Sequence, residues 1–282
     1  MPELPELEII RESLTTRVIG RTIESACEIR PGVLQTVAPP VGDLAGQRIR
    51  SVSRRGKHLV LTVRDDLFLV IHLMRGGRLI LCRSGTKATK ATGFIVRFAD
   101  GEDLRLVENG SIKQAKIHVV RCPDDVAWIA AAGPEPLSDG FTVAYLKSAC
   151  VGTRRQVKKL ITDQTVVVGI GTAFADEILF EARLSPIRYV STLDDDEIGR
   201  LHASIRTILS DAVAQIRVRA GGVVLDGHRR DIMKIYKKTG QPCPRCGNRI
   251  AEIRYAQTRT YYCPVCQASG KPIRDRRAWL TR

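Results

Sequence analysis

The sequence predicts an α+β protein of several domains: an N-terminal helix with a β-rich domain, a helical middle segment and a small cysteine module. Apolar residues first recur at helical spacing, then form short runs separated by turn residues, and later return to helical spacing. Four of the eight cysteines lie in two close pairs near the C-terminal end. With 282 residues, 44% of them hydrophobic, the chain can form more than one core, which excludes wholesale disorder.

The N-terminal helix is predicted to begin within the stretch PELPELE. Proline suits the first turn of a helix, and glutamates there complement the positive end of the helix dipole. Gly20 can end the helix. Its apolar face comprises Leu4, Leu7, Ile10, Leu14 and Val18. A helix start accounts for Pro5 and the glutamates, but it gives no reason for Pro2.

The β-rich domain is predicted from five short apolar runs, at 58–63, 67–71, 78–81, 94–98 and 115–120. Residues that favour turns separate these runs. Five or more closely spaced strands are typical of a sandwich or a barrel.

The stretch GPEPL (133–137) breaks regular structure and is interpreted as a linker. Beyond it, a helix is expected over 173–182, entered from VVVGIGT (166–172). A second helix is expected over 198–216, because its apolar residues form one stripe and acidic residues at 194–197 suit a first turn. The middle of the chain is therefore predicted to be helical.

The net charge of +15 is concentrated near the C-terminal end. Residues 217–282 contain 16 Lys or Arg against 4 Asp or Glu, so the rest of the chain carries only +3. This concentration favours a polyanion, most commonly nucleic acid, over a merely soluble basic surface. No apolar run is long enough to cross a membrane, and the acidic N-terminal stretch is unlike a signal peptide, so a soluble, cytoplasmic protein is expected.

The paired cysteines have the spacing of a metal site. CPRC (243–246) and CPVC (263–266) are separated by 16 residues, which allows four thiolates to surround one structural Zn²⁺. Disulfides are the alternative, but they are rare in a cytosolic chain. Four sulfur ligands leave no open position for water, which argues against catalytic zinc. The expected ligands are Cys243, Cys246, Cys263 and Cys266.

Two further expectations concern residues around this module. Arg249, Arg254, Arg259, Tyr261 and Tyr262 lie between the cysteine pairs and are expected to meet a phosphate backbone. The scattered cysteines are expected to pack as small core residues; they are Cys27, Cys82, Cys122 and Cys150.

Five motifs occur here in one order: PELPELE, RRGKHL (54–59), GPEPL, DQTVVVGIGTAFADEILF (163–180) and the terminal zinc finger. Together they resemble the formamidopyrimidine-DNA glycosylase and endonuclease VIII family of base-excision repair enzymes, over essentially the whole chain. The resemblance implies a monomer that acts on damaged DNA in the cytoplasm, associated with the nucleoid. It also implies a catalytic β-sandwich domain (1–132), a helix-two-turns-helix domain (133–236), a zinc finger (237–270) and a basic tail (271–282).

The resemblance assigns catalytic roles to the opening residues. Removal of Met1 would leave Pro2 as the terminus, with a secondary amine that attacks C1′ of the damaged nucleoside and forms a Schiff base. Glu3 matches the acid that assists opening of the sugar ring, and Glu6 matches a residue that organises the site. Lys57 matches a hairpin lysine that contacts phosphate and assists elimination; a solvated hairpin lysine is the alternative.

The resemblance also implies DNA contacts, and here the chain departs from the family pattern. Thr172 replaces an asparagine but could cap the following helix. Thr258 replaces an arginine, and Arg259 beside it would point to the other face of the hairpin. The expected DNA contacts are His72, Arg75, Gly169, Gly171, Thr172 and Arg259, with the two glycines letting backbone N–H groups approach a phosphate.

A second group of departures concerns residues that fill the space left by a flipped base. Arg75 stands in place of an intercalating methionine, and Ser111 and Ile112 in place of arginine and phenylalanine. Ala91 replaces a DNA-contacting histidine, and the segment 221–236 is shorter than the loop that covers 8-oxoguanine in other members. Because base flipping costs a few kcal/mol, loss of these wedges predicts a different lesion preference.

The motifs therefore favour a DNA glycosylase with abasic-site lyase activity, ending in β- or β,δ-elimination, with a preference other than 8-oxoguanine in duplex DNA. The alternative is a catalytically weak or inactive DNA-binding relative. The presence of Pro2, Glu3, Glu6 and Lys57 favours the enzyme. An RNA-binding zinc-finger protein is disfavoured, because it gives the proline terminus no task.

Overall fold

The computed structural model describes residues 1–221, 231–255 and 258–273, without the side chains of Tyr255 and Thr258. These residues form two compact units. The first unit contains residues 1–132 and the end of a long helix from Val213, and the second contains 133–212 and the residues described after 230. Within these ranges, no helix has the length and apolar character that a membrane span requires. The predicted domain limits remain predictions, and most of the basic tail lies outside the described residues.

The first unit begins with helix α1 (Leu4–Val18), as predicted from the sequence. Eight strands follow in its described part: β1 (Ile23–Glu28), β2 (Ser51–Arg55), β3 (His58–Arg64), β4 (Leu67–His72), β5 (Gly77–Arg83), β6 (Thr92–Phe98), β7 (Glu102–Glu108) and β8 (Lys116–Val120). They form two antiparallel sheets, ordered β1-β6-β7-β5 and β2-β3-β4-β8. A short helix, α2 (Ala127–Ala130), follows β8.

One hydrophobic core joins the two sheets and α1. Leu7 and Ile10 of α1 pack with Phe98 of the first sheet and with Leu61 and Leu69 of the second. All five side chains are almost completely removed from water, and each such burial stabilises the fold by about 1.5–3 kcal/mol. The α+β class and the sandwich are therefore confirmed.

The sequence analysis did not identify three of the strands, β1, β2 and β7, because none of them contains a long apolar run. β1 and β2 are edge strands, each with a single buried apolar residue, Ile23 and Val52. β7 is a central strand, but it buries Asp103 and Arg105, whose side chains pair at 2.7 Å. Apolar runs cannot reveal a strand whose buried positions carry an ion pair.

The second unit contains helices α3 (Val143–Cys150), α4 (Val157–Ile161), α5 (Thr172–Glu181) and the start of α6 (Asp195–Ala220). It ends with strands β9 (Ala251–Tyr255) and β10 (Thr258–Tyr262) and helix α7 (Pro264–Ala268). The helices predicted at 173–182 and 198–216 are confirmed as α5 and α6, whereas α3 and α4 had not been identified.

The GPEPL stretch is a packed segment rather than a simple linker. The Gly133 N–H donates to the carbonyl of Gln164 at 2.9 Å, and the Val168 N–H donates to the carbonyl of Pro134 at 3.2 Å. A Cβ on Gly133 would lie 2.6 Å from the carbonyl of Val166, so the approach requires glycine.

The expectation for the scattered cysteines is mostly wrong. Cys150 is buried, but Cys82 is only partly buried, and Cys27 and Cys122 are exposed. Cys27 lies on an edge strand and Cys122 in the connection after β8, where apolar neighbours in sequence do not imply burial.

Candidate active site and metal centre

The opening residues form a buried corner at the start of α1. Pro2, Glu3 and Glu6 are all buried, with Glu3 and Glu6 only 2% and 1% exposed. Glu3 has extended backbone and precedes the first helical residue, and Glu6 Oε2 accepts a hydrogen bond from the Glu3 N–H at 2.7 Å. This bond satisfies one of the free N–H groups of a helix start and fixes the direction in which residues 1–3 leave the helix.

Lys57 lies in a two-residue turn between β2 and β3. Arg55 pairs with His58 across the turn, and Gly56 supplies the positive φ, 55°, that such a tight turn needs. Lys57 is only 8% exposed. The alternative of a solvated hairpin lysine therefore does not describe this side chain.

Arg54 connects the corner to the lysine turn. Its Nε donates to Glu8 Oε2 of α1 at 3.0 Å, and its Nη1 donates to the Gly56 carbonyl at 2.9 Å. Burial opposes ionisation of Glu8, but Arg54 and Arg11 outweigh it and lower the pKa of this carboxyl. α1 also packs on β2 and β3, so the Pro2 end and Lys57 belong to one connected structure. The RRGK motif contains Arg54, but its sequence does not reveal this connection.

The turn between β4 and β5 holds one buried and one exposed candidate for DNA contact. His72 is 4% exposed, and its Nδ1 accepts a hydrogen bond from the Met74 N–H at 3.1 Å. Burial, then His58 and nearby lysines, lower the pKa of His72 to about 2, so the ring is neutral and Nε2 carries the proton. Met74 takes a left-handed φ of 49°, and Arg75 next to it is exposed.

The connection between β7 and β8 is held at its ends and exposed at its tip. Glu108, 1% exposed, accepts hydrogen bonds from the Gln114 and Ala115 N–H groups at 2.7 and 3.0 Å. Ser111 and Ile112 at the tip are exposed, Ile112 by 72%. An apolar side chain exposed to this degree adds nothing to the core.

The glycine turn before α5 is stabilised by Gln164. The Gly169 N–H donates to Gln164 Oε1, and Gln164 Nε2 donates to the Ile170 carbonyl, both at 2.9 Å. Gly169 has φ of 83°, so glycine is required by the turn itself. Gly171 is the N-cap of α5, so the expectation that Thr172 caps this helix is wrong; Thr172 is its exposed first residue.

The four paired cysteines form one cluster, in which all Sγ atoms lie within 4.8 Å of one another. Cys243 and Cys266 are 3.9 Å apart and Cys246 and Cys263 are 3.5 Å apart, too far for disulfides. Tetrahedral zinc with Zn–S bonds of about 2.3 Å requires sulfur separations of about 3.8 Å. Four thiolates this close would repel one another, and a cation held between them removes that repulsion. The residues therefore fit one structural Zn²⁺.

The zinc module is attached to α5 by buried polar side chains within the second unit. Lys158 Nζ donates to Asp176 Oδ1 at 2.6 Å and to Thr260 Oγ1 at 2.7 Å, while the Tyr261 N–H donates to Asp176 Oδ2 at 3.2 Å. Glu177 accepts three backbone N–H bonds at 2.9 Å from residues 234–236. Sequence analysis missed these anchors, because a charged residue in a helix is usually solvated.

The hairpin divides its expected DNA contacts into two groups. Arg249, Arg254 and Arg259 are exposed. Tyr261 and Tyr262 are 5% and 1% exposed, so the expectation that they meet a phosphate backbone is wrong. The side chain of Thr258 lies outside the described residues.

Three family models match the chain in the order of these structural elements. The formamidopyrimidine-DNA glycosylase N-terminal domain matches residues 1–112, the H2TH domain of the same glycosylase matches 132–221, and a zinc finger found in FPG and IleRS matches 240–268. The chain belongs to the formamidopyrimidine-DNA glycosylase family. This membership places it among DNA repair glycosylases, and the zinc finger model agrees with the cysteine geometry.

Individual relatives agree with the family over nearly the whole chain. The formamidopyrimidine-DNA glycosylase of Chloroflexus aggregans is 35% identical over 95% of this chain and 98% of its own, and that of Laribacter hongkongensis is 35% identical over 95% and 100%. Lactococcus lactis Fpg bound to abasic-site DNA superimposes with a TM-score of 0.85 at 28% identity, covering 94% of this chain and 99% of that chain. The same enzyme bound to Fapy-dG DNA gives 0.84 at 29%, covering 94% and 100%.

Proposed function

We propose that this protein is a bifunctional DNA glycosylase and abasic-site lyase in which Pro2 is the nucleophile. The observation that carries the proposal is the buried corner of Pro2, Glu3 and Glu6, linked through Arg54 to the turn of Lys57. A solvated, purely structural helix start has no need of two buried carboxyl groups and a buried lysine, since burial of charged groups is costly.

The chemistry follows from these groups once Met1 is removed. The Pro2 nitrogen forms a bond to C1′ of the damaged nucleoside, and the base leaves with the electrons of the glycosidic bond and takes up the proton that the Pro2 nitrogen loses. Glu3 donates a proton to the sugar ring oxygen as the C1′–O4′ bond opens, leaving an iminium ion at C1′. The iminium acidifies the C2′ proton; its removal forms a C2′–C3′ double bond and expels the 3′ phosphate, and the Lys57 ammonium is the nearby charge suited to that phosphate.

Damaged DNA, double- or single-stranded, is the proposed substrate of a monomer. We assign DNA contacts to His72, Arg75, Gly169, Gly171, Thr172 and Arg259. Arg75, Thr172 and Arg259 are exposed, and Gly169 lies in the turn before α5 with a positive φ. These positions are suited to contact with a phosphate strand. The exposed Arg75, Ser111 and Ile112 support a lesion preference other than 8-oxoguanine in duplex DNA, because none reproduces the wedge side chains that the resemblance implies.

Borohydride trapping tests the nucleophile. Zinc-loaded protein without a tag should give a covalent adduct with abasic DNA when the Schiff base is reduced. Protein that keeps a tag ahead of Pro2 has an amide nitrogen there and should give none, although it should bind DNA equally well. Pro2→Gly should retain little lyase activity. An adduct from the tagged protein, or none from the untagged protein on single- and double-stranded abasic DNA, would overturn the mechanism and favour the inactive DNA-binding relative.

A panel of oligonucleotides tests the lesion preference. Each lesion should be offered in single-stranded and in duplex form, with abasic DNA as the reference for chemistry. Ready cleavage of abasic DNA with poor excision of 8-oxoguanine from duplex is expected. Efficient 8-oxoguanine removal that depends on the opposite base would show that the altered turns do not change lesion preference.

A further inference from the structure

A pocket in the first unit has no role in the proposed chemistry. Its volume is about 120 Å³. The ends of three neighbouring strands line it with His58, His72, Lys116 and His118, and Trp128 of α2 covers one side. His72 is a candidate DNA contact, whereas His58, Lys116 and His118 belong to no proposed site.

The sheet places these side chains together. His72 of β4 pairs with Lys116 of β8, and His118 lies two residues further along β8 on the same face. The rings of His58 and His72 lie 4.6 Å apart, and the Lys116 ammonium lies 5.0 Å from the centre of the Trp128 ring. The Trp128 ring packs edge-on against the rings of His58 and His72, with centroids 6.1 and 5.5 Å away, so the nitrogen atoms of the pocket lie beside an aromatic ring.

Two ring nitrogens of this pocket are buried without a hydrogen-bond partner among the described residues: Nε2 of His58 and Nδ1 of His118. His58 is 6% exposed, and its ring also hydrogen-bonds to the Arg55 backbone, which leaves Nε2 as the unused atom. Buried polar nitrogens without a partner are uncommon, and each is costly unless a ligand satisfies it.

The charge around the pocket selects the class of ligand. Burial, then His118 and Lys57, lower the pKa of His58 to about 4, so the surroundings already disfavour positive charge. No carboxylate is among the residues that line the pocket in the described part of the chain. An anion would relieve this repulsion, and uptake of a proton at Nε2 of His58 would then let that nitrogen donate a hydrogen bond to the anion.

A metal ion fits the pocket less well than an anion. Across residues 1–221, 231–255 and 258–273, the cysteine cluster is the one group of possible ligands whose atoms are close enough to hold a single ion. The ammonium group of Lys116 would also repel a cation.

We propose that this pocket is a binding site for a phosphate group, held by His58, His72, Lys116 and His118. The phosphate belongs either to a DNA backbone or to a small phosphate ester. The DNA source rests on the proposed function, but the site itself does not.

Titration with inorganic phosphate tests the site in zinc-loaded, full-length protein. The ring signals of His58 and His118 should shift in NMR spectra and saturate, whereas chloride at equal ionic strength should leave them unchanged. Lys116→Gln should weaken phosphate binding at least about fivefold, through loss of a charge-assisted hydrogen bond. Lys87→Gln removes the same charge from an exposed position of the same unit and should change binding less than about twofold.

A second variant tests whether weaker phosphate binding results from loss of folding. His58→Gln keeps a polar side chain that cannot become charged, and it should weaken phosphate binding while the remaining histidine signals keep their native dispersion. The proposal would be overturned if the histidine ring signals did not shift on addition of phosphate. It would also be overturned if Lys87→Gln and Lys116→Gln weakened phosphate binding equally.

Competition with DNA then identifies the source of the phosphate. Displacement of inorganic phosphate by abasic duplex, but not by a duplex with neutral methylphosphonates beside the abasic site, assigns the pocket to those backbone phosphates. Displacement by both duplexes assigns it to a more distant phosphate of the strand. Displacement by neither assigns it to a small phosphate ester. Loss of borohydride trapping with intact phosphate binding would remove the proposed function alone.

Discussion

The corner at the start of α1 and the tip of the connection between β7 and β8 are held in opposite ways. Glu3, Glu6 and Lys57 are at most 8% exposed and are fixed by the helix start and the β2–β3 turn. Ser111 and Ile112 lie at an exposed tip whose ends alone are anchored, by Glu108. Buried groups cannot change without a loss of stability, whereas exposed turn residues can. The proposed catalytic groups are therefore part of the fold, whereas the exposed tip between β7 and β8 is free to diverge from the family pattern.

The largest effect is expected from Glu3→Gln, which keeps the shape of the buried side chain but removes its acid. Base excision should fall by about 10²–10⁴-fold, the usual contribution of a general acid. Cleavage of preformed abasic sites should fall less, because an abasic sugar is a hemiacetal whose ring opens without the acid that Glu3 supplies. Single-turnover assays on lesion and abasic substrates measure the difference.

Glu24→Gln is the matched control for Glu3→Gln, since Glu24 is an exposed glutamate of the same unit. It should leave both rates unchanged. Equal loss of excision and of abasic-site cleavage in Glu3→Gln would contradict the assigned role of Glu3.

The free energy of unfolding is expected to depend on pH because of two buried histidines, His58 and His72. The pKa of His58 is lowered to about 4 and that of His72 to about 2, both below the usual value of 6.5. The unfolded chain therefore binds more protons below pH 6.5, so stability is complete above that pH and is lost as pH falls toward 4 for His58 and toward 2 for His72. His58 alone should account for a loss of about 2 kcal/mol in the free energy of unfolding between pH 7 and pH 5.

Urea unfolding at pH 7 and pH 5 measures this loss. His58→Gln should reduce the difference between the two pH values by about the same amount, because glutamine does not titrate. A variant with the full wild-type difference would show that His58 is not the titrating group.

The sequence could predict those elements whose residues repeat at a regular period or stand at a fixed spacing. α1 and α6 were predictable from apolar repeats, and the zinc cysteines from their pairing. β7 was not, because two of its buried positions carry the ion pair of Asp103 and Arg105.

The candidate site shows the same limit. Motif matching named Lys57, but not its burial, since a hairpin lysine is usually solvated. The anchors that position the motifs, Arg54, Gln164 and Asp176, act through partners that only the folded chain brings near.

A smaller effect is expected from Arg54→Met, which removes the connection between α1 and the lysine turn. Loss of the bonds to Glu8 and to the Gly56 carbonyl should lower the free energy of unfolding by about 1–2 kcal/mol. The rate of β-elimination should fall about tenfold, because misplacing a positioned group by a fraction of an ångström is costly.

Arg50→Met is the control for Arg54→Met, because Arg50 pairs at 2.6 Å with Asp65 on the surface, where the two side chains are 52% and 92% exposed. Such a pair contributes about 0–1 kcal/mol. Denaturant unfolding and borohydride-trapping rates should therefore separate the two variants. Equal effects would mean that Arg54 does not position Lys57.

The smallest effect, and the one that tests the exposed side of the comparison, is expected from Ile112→Ala. Ile112 is 72% exposed at a tip whose ends Glu108 anchors, so its truncation should change the free energy of unfolding by less than about 0.5 kcal/mol. If this side chain enters the space of a flipped base, lesion excision from duplex DNA should fall a few-fold, whereas cleavage of single-stranded abasic DNA should stay the same. Val37→Ala, at a 93% exposed valine of the same unit, is the control and should alter neither rate. An equal fall on single-stranded and duplex substrates would place Ile112 among the groups that serve the chemistry, and the division between buried chemistry and exposed recognition would no longer hold.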